Sequence, residues 1–202
     1  MTRRRIPVSG AYLALCCTQV LYALAAESMV VILPLVALEV LKGPSWLPGA
    51  AIITGNIILA LVQKPAINFS STRQRSHSLI LASGIFAATF IALTFTGDLD
   101  RALIVPSVLL LSGTGAVAEA LAFPLMTALA NDCSPAEYRG FYSALFQTSW
   151  GLATVLAPAV FTGLLVLGNM PLWGTLCGIS LLTVPILIGS LKKLPSLPLL
   201  SS

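Results

Sequence analysis

The chain has 202 residues, of which 57% are hydrophobic and only 9% charged, with a formal net charge of +4. That is about a third of the charge of an ordinary globular protein, too little to coat a water-facing surface, so a soluble domain is excluded. The small positive balance sits in loops and reads as membrane orientation, which excludes nucleic acid as a partner.

Six stretches are apolar and long enough to cross a bilayer, at 11–41, 47–67, 79–95, 102–129, 141–167 and 172–191. At about 1.5 Å per residue, about 20 apolar residues cross about 30 Å of hydrocarbon. Barrel strands would alternate polar and apolar residues, and runs such as Leu79-Ile80-Leu81 do not. The expected fold is therefore all-α: a single six-helix integral membrane domain over 1–202, with tails at 1–10 and 192–202.

The first span follows Arg3, Arg4 and Arg5, and its Ala23-Leu24-Ala25 imitates the end of a secretory signal. The apolar run continues through Val30 to Leu33, which favours a retained helix. Gln19, Ala23 and Glu27 are four residues apart and share one face of that helix, with Pro34 two turns further on. Glu39 falls near the end of the span, within reach of the headgroups. The second span carries Asn56 and Gln63, and the third has nothing more polar than Ser and Thr. Between them lies a basic loop with Arg73, Arg75 and His77, where the histidine reads as solvated surface.

The fourth span stacks Ser112, Glu119 and Met126 at intervals of seven, among Gly113, Gly115, Ala116, Ala118 and Ala122. Gly113 to Ala118 also fits a dinucleotide-binding pattern, but that pattern needs a strand, a turn and a helix rather than the middle of an apolar span. A short loop with Pro135, Arg139 and Gly140 leads to the fifth span, which carries Gln147, Thr148, Trp150 and Thr154. The sixth contains only weakly polar residues and a Gly174-x-x-x-Gly178 pair suited to close helix approach, within the bundle or between copies. Cys16, Cys17, Cys133 and Cys177 have no paired spacing and read as small apolar residues, so no disulfide framework, metal or cofactor is expected.

Placing the amino terminus inside puts Arg3, Arg4, Arg5, Arg73, Arg75, Arg139, Lys192 and Lys193 on the cytoplasmic side and only Lys42 and Arg101 outside. Basic residues are retained in the cytoplasm, so both termini are expected there, with the chain multi-pass in the plasma membrane. Trp46 and Trp173 then fall at outer span ends, where an amphipathic ring suits the headgroup level.

A charge near the bilayer centre costs about 2.5 to 3.5 kcal/mol on insertion scales, so Glu27 and Glu119 each need a partner, a watery cavity or a proton. They are the candidates for proton coupling; the bland alternative is a structural glutamic acid bonded to a neighbouring helix. Gln19, Asn56, Gln147 and Trp150 are the candidates for a substrate path, the alternative being helix-to-helix packing and hydrogen bonds. The polar pattern repeats as carboxylate, amide, none in spans one to three and again in four to six. This predicts two three-helix repeats, with spans one, two, four and five lining a polar path and three and six facing lipid. Prolines at 34, 65, 106, 124, 158 and 185 add kinks suited to bending helices.

From Gly113 to Leu165 the chain resembles the tenth and eleventh helices of the major facilitator superfamily, particularly its drug:proton antiporter-like members. The likeness lies in Gly115 to Glu119 with Pro124, in Pro135-x-x-x-Arg139-Gly140-x-Tyr142, and in Gly151 with Ala157-Pro158. Leu33-Pro34-Leu35 resembles part of the seventh helix, and Val62 to Pro65 the end of the eighth. The family's Gly-x-Leu-Ala-Asp-Arg-x-Gly-Arg-like loop has no counterpart, and Phe69 to Ser76 is a version lacking the Asp. The resemblance implies the carboxy-terminal six of twelve helices, hence half of a major facilitator fold. Its implied function is transport of a small solute by alternating access, as proton-coupled efflux, with the bilayer, the solute and a second half as partners. That second half is either another copy of the chain or a separately encoded amino-terminal half.

An inactive remnant and a non-transport membrane scaffold are the competing readings. An intramembrane enzyme is not expected, because the only histidine is His77 in a loop and no Asp is central to a span.

Overall fold

In the computed structural model of the chain, residues 8–71 and 75–191 are described, without the side chains of residues 71 and 191. Arg3, Arg4, Arg5, Arg73, Lys192 and Lys193, on which much of the orientation reading rests, lie outside the described residues. The described residues contain six long helices and no strand: α1 (Gly10–Glu39), α2 (Leu47–Ser71), α3 (Arg75–Thr94), α4 (Arg101–Asp132), α5 (Arg139–Val166) and α6 (Asn169–Leu191). Each is long and apolar enough to cross a membrane, the architecture of a multi-pass membrane protein.

Most helices run past their apolar windows, because terminal backbone groups must find partners outside the hydrocarbon. Ser9 caps α1 by accepting from the Tyr12 amide at 3.2 Å. At the same end of the bundle, α3 begins four residues before its apolar window at Arg75, which pairs with Asp132 in the last turn of α4. Gly168, at φ +121, makes the tight turn from α5 to α6. Prolines 34, 65, 106, 124, 158 and 185 all lie inside helices, each removing one backbone donor.

The helices with the carboxylates form the middle of the bundle. α1 packs against α2, α4, α5 and α6, and α4 packs against α1, α2, α3 and α5. α3 and α6 lie together behind them, α3 also against α4 and α6 also against α1. Coverage departs from the expectation that α3 and α6 would be the lipid-facing helices. Half of the most apolar stretch of α3 is buried, against 11% in α2 and 22% in α5, so α2 and α5 are the barest helices.

Without a hydrophobic drive between helices in lipid, close packing and interhelical hydrogen bonds must hold the bundle together. Small buried residues supply the first: Ala23, Ala25 and Ala26 on α1, and Gly115, Ala116, Ala118 and Ala122 on α4. A Cβ at Gly115 would lie 3.0 Å from both Cγ and Sδ of Met29 on α1. Gly115→Leu should therefore force α1 and α4 apart at a cost of about 1 to 3 kcal/mol, the range for overpacking. A matching drop in thermal stability in detergent checks this; unchanged stability would show that Met29 simply moves aside.

Buried hydroxyls supply the second. Tyr22 Oη on α1 donates to the Leu79 carbonyl at 2.7 Å and lies 2.7 Å from Ser83 Oγ, which in turn lies 2.7 Å from Thr183 Oγ1 on α6. Thr183 donates onward to the Ser180 carbonyl, so the chain of hydroxyls ends on a backbone acceptor inside the bundle. Tyr12 Oη ties α1 to α5 through the Tyr142 carbonyl at 2.7 Å.

Trp173, in the second turn of α6, is turned into the bundle rather than out to its surface. Its side chain is 0% exposed, stacked on Phe90 of α3 at 5.9 Å, and its indole N–H donates to Asn169 Oδ1 at 2.7 Å. An intrahelical acceptor four residues back satisfies the ring's one polar atom, which allows the ring to be buried. Trp46, 56% exposed, remains at the surface. The Gly174 and Gly178 pair is not used inside the bundle, since an added Cβ at either would meet nothing within 4 Å.

Candidate functional site

Both intramembrane glutamates lie on the two central helices, and the helices beside them complete their surroundings. Glu27, partly exposed near the middle of α1, accepts a hydrogen bond from Thr154 Oγ1 of α5 at 2.7 Å. The same hydroxyl lies 3.3 Å from the Trp150 carbonyl one turn back, so the threonine is within reach of both its own helix and the carboxylate. Trp150 packs edge-on against Phe123 of α4 at 4.2 Å and 66°, closing α5 onto α4 beside this contact.

Glu119 of α4 borders a cleft of ≈ 30 Å³ between α1, α2 and α4, with Met29, Gly55, Asn56, Ser112 and Ala116 among its walls. About 10 to 15 Å³ of such space admits one water, so the cleft has room for a water against the carboxylate. Ser112 Oγ donates across to the Ala51 carbonyl of α2 at 2.7 Å, and an added Cβ at Gly55 would lie 3.0 Å from Ser112 Oγ. The close approach of α2 and α4 that glycine permits is therefore also what places Asn56 on the cleft. Glu27 and Glu119 thus sit on two helices that are in contact, α1 and α4, with Glu119 on the cleft towards α2 and Glu27 against α5.

The other sequence candidates fall in different places. Asn56 is exposed and borders the Glu119 cleft; Trp150 is half-buried on the α4 and α5 contact; Gln147 is exposed on α5 one turn before it. Gln19 is not on this open side: it is only 2% exposed, and its Oε1 has no hydrogen-bond partner among the described residues. Pro135 precedes a short 3-10 turn, and Arg139 and Gly140 open α5 on the exposed surface. A Cβ at Gly140 would meet nothing within 4 Å, so local packing does not demand glycine there. The Gly113 to Ala118 run lies wholly inside α4, with no strand or turn to cradle a phosphate.

Two pairings had no sequence signal. Thr154 meets Glu27 across 127 residues, and Arg75 meets Asp132 across 57, separations at which periodicity carries no information. All four cysteines are free. Cys133, just past the end of α4, has its thiol pushed up by burial and by the Asp132 charge, against a smaller opposing effect of Arg75. No protein family, curated protein or solved structure matches the chain.

Proposed function

We propose that this chain is a transporter half that moves a small solute by alternating access, with proton exchange at Glu119 and Glu27 driving efflux. The observation that carries the reading is the setting of the two carboxylates on the adjoining helices α1 and α4. Glu119 borders a water-sized cleft beside α2, Glu27 accepts from one hydroxyl of α5 among the described residues, and α2 and α5 are the barest helices. A carboxylate that serves structure alone is better matched to full burial with fixed partners, because an ionisable group in a membrane interior is costly unless satisfied.

The helix pairing supports the two-repeat part of the proposal. Exchanging α1, α2, α3 for α4, α5, α6 carries the α1 and α5 contact onto that of α4 and α2, and the α3 and α4 contact onto that of α6 and α1. Such internal repeats with a site at their junction are a common construction of secondary transporters. Bare α2 and α5 faces fit a second half seated there, either another copy or a separate partner, related by an axis along the membrane normal so that both insert alike. The proposed location is the plasma membrane with both termini cytoplasmic.

Reconstitution tests this directly. The purified chain in liposomes, given an imposed pH gradient and an amphipathic cation such as ethidium as probe, should drive ethidium movement that collapses with a protonophore, and native mass in detergent should show two copies. A folded single chain that produces no flux alone or with its genomic neighbour would favour the remnant or scaffold reading.

A further inference from the structure

A second cleft lies at the end of the bundle where α1 begins and α6 finishes. It encloses ≈ 200 Å³ between α2, α3 and α4, bordered by Ile67 and Ser70 of α2, Arg75 of α3, and Ala120, Pro124 and Ala128 of α4. Neither carboxylate borders it, although Pro124, part of the α4 stretch that carries the family resemblance, stands on its wall.

Its chemistry is divided along its length. The α4 wall from Ala120 to Ala128 runs about 12 Å, most of one leaflet's depth of about 15 Å, and is apolar throughout. Ala120, Pro124 and Ala128 share that wall with Leu121 and Leu125, so it offers an apolar surface along which a chain can lie. At the end nearest the α2 to α3 connection stand Ser70 and Arg75, the only polar side chains on the cleft among the described residues. Ser70 is 4% exposed, and its hydroxyl has no hydrogen-bond partner among the described residues, a costly state unless something else accepts from it. Arg75 meets Asp132 through Nη1, which leaves donors of its fork facing other ways.

An apolar slot one leaflet deep, ending in a buried unpaired hydroxyl and a guanidinium, matches an amphiphile with one apolar tail and an anionic phosphate. Guanidinium forks suit phosphate oxygens, and basic pockets between transmembrane helices are a known way to hold acidic lipid headgroups. We propose that the cleft binds an anionic phospholipid, one acyl chain lying along α4 and the phosphate between the Ser70 hydroxyl and the Arg75 guanidinium. Asp132 competes with the lipid phosphate for Arg75, so lipid binding and the tie between α3 and α4 are alternatives.

Native mass spectrometry of the whole chain in detergent, titrated with phosphatidylglycerol, phosphatidylcholine or inorganic phosphate, tests this. Both lipids carry the phosphate, but the choline cation of phosphatidylcholine offsets its charge beside Arg75, so phosphatidylglycerol should be retained about tenfold more tightly, and inorganic phosphate, which has no acyl chain, should not be retained. Arg75→Gln should remove that preference, while Asp132→Asn should strengthen phosphatidylglycerol retention by freeing the guanidinium. Loss of a merely structural ion pair would move both variants the same way. Should Arg75→Gln fail to fold, Ala128→Leu, which fills the slot and leaves both polar groups in place, should weaken lipid retention on its own. Equal retention of the two lipids, retention of inorganic phosphate, or parallel effects of Arg75→Gln and Asp132→Asn would overturn the proposal.

Discussion

Glu119→Gln is expected to reduce proton-driven flux to the level of empty vesicles while leaving the helical fold and its thermal stability close to native. Glutamine has the same shape, so it keeps its place on the cleft that Met29, Asn56 and Ala116 also line and still offers a carbonyl oxygen to a water there. What it loses is the exchangeable proton. Residual solute movement should therefore become independent of pH between about 5 and 8, where a coupled carrier would respond. Glu27→Gln should give a smaller defect, because its amide oxygen can still accept from Thr154 and keep α1 against α5. Flux measured at several imposed gradients separates the two. Native pH-dependent flux in Glu119→Gln would remove that residue from coupling.

Trp173→Ala should give the largest loss of stability of any single truncation in the bundle. The ring is among the largest fully buried side chains, it stacks on Phe90, and Phe90 in turn stacks on Phe86 at 6.0 Å. Removing it opens a void between α3 and α6 and frees Asn169, whose amide donates to the Thr94 carbonyl at 3.4 Å. Aromatic truncations in soluble cores cost about 3 to 5 kcal/mol, a figure that includes transfer from water. Here lipid is the alternative environment, so the low end, about 3 kcal/mol, is expected. Thermal unfolding in detergent measures it. A loss no larger than that of Trp46→Ala, at an exposed site, would mean the ring is not held inside the bundle.

The pairing of these two variants also separates stability from activity. Trp173 lies on the α3 and α6 side and Glu119 on the side of α1 and α2, so one should lower the melting temperature with activity per folded molecule retained, and the other the reverse.

Much of the architecture was legible because the bilayer imposes a single demand on length and apolarity. Six windows of low charge could be only six helices, and Glu27 and Glu119 stood out because ionisable residues inside such windows are rare. The helix ends were less legible: hydropathy reports where apolar residues stop, whereas α2 and α4 continue through Asn68 to Ser71 and through Asn131 to Asp132. The facing of Trp173 was illegible for a related reason. An aromatic at a span end can turn outward or into the bundle, and only the Asn169 acceptor and the Phe90 face decide between them.

Sequence by itself therefore determined the all-helical, six-span character of the protein and the identity of its unusual intramembrane groups, because both follow from transfer of each residue into hydrocarbon, a local property. Tertiary structure alone decided which of those groups meet. Thr154 opposite Glu27, Asn56 beside Glu119, Gln19 sealed away from both and Arg75 locked to Asp132 all depend on which helix faces are in contact. In lipid those faces are chosen by close packing of small residues and by interhelical hydrogen bonds, which are properties of pairs of helices and leave no periodic mark on either one.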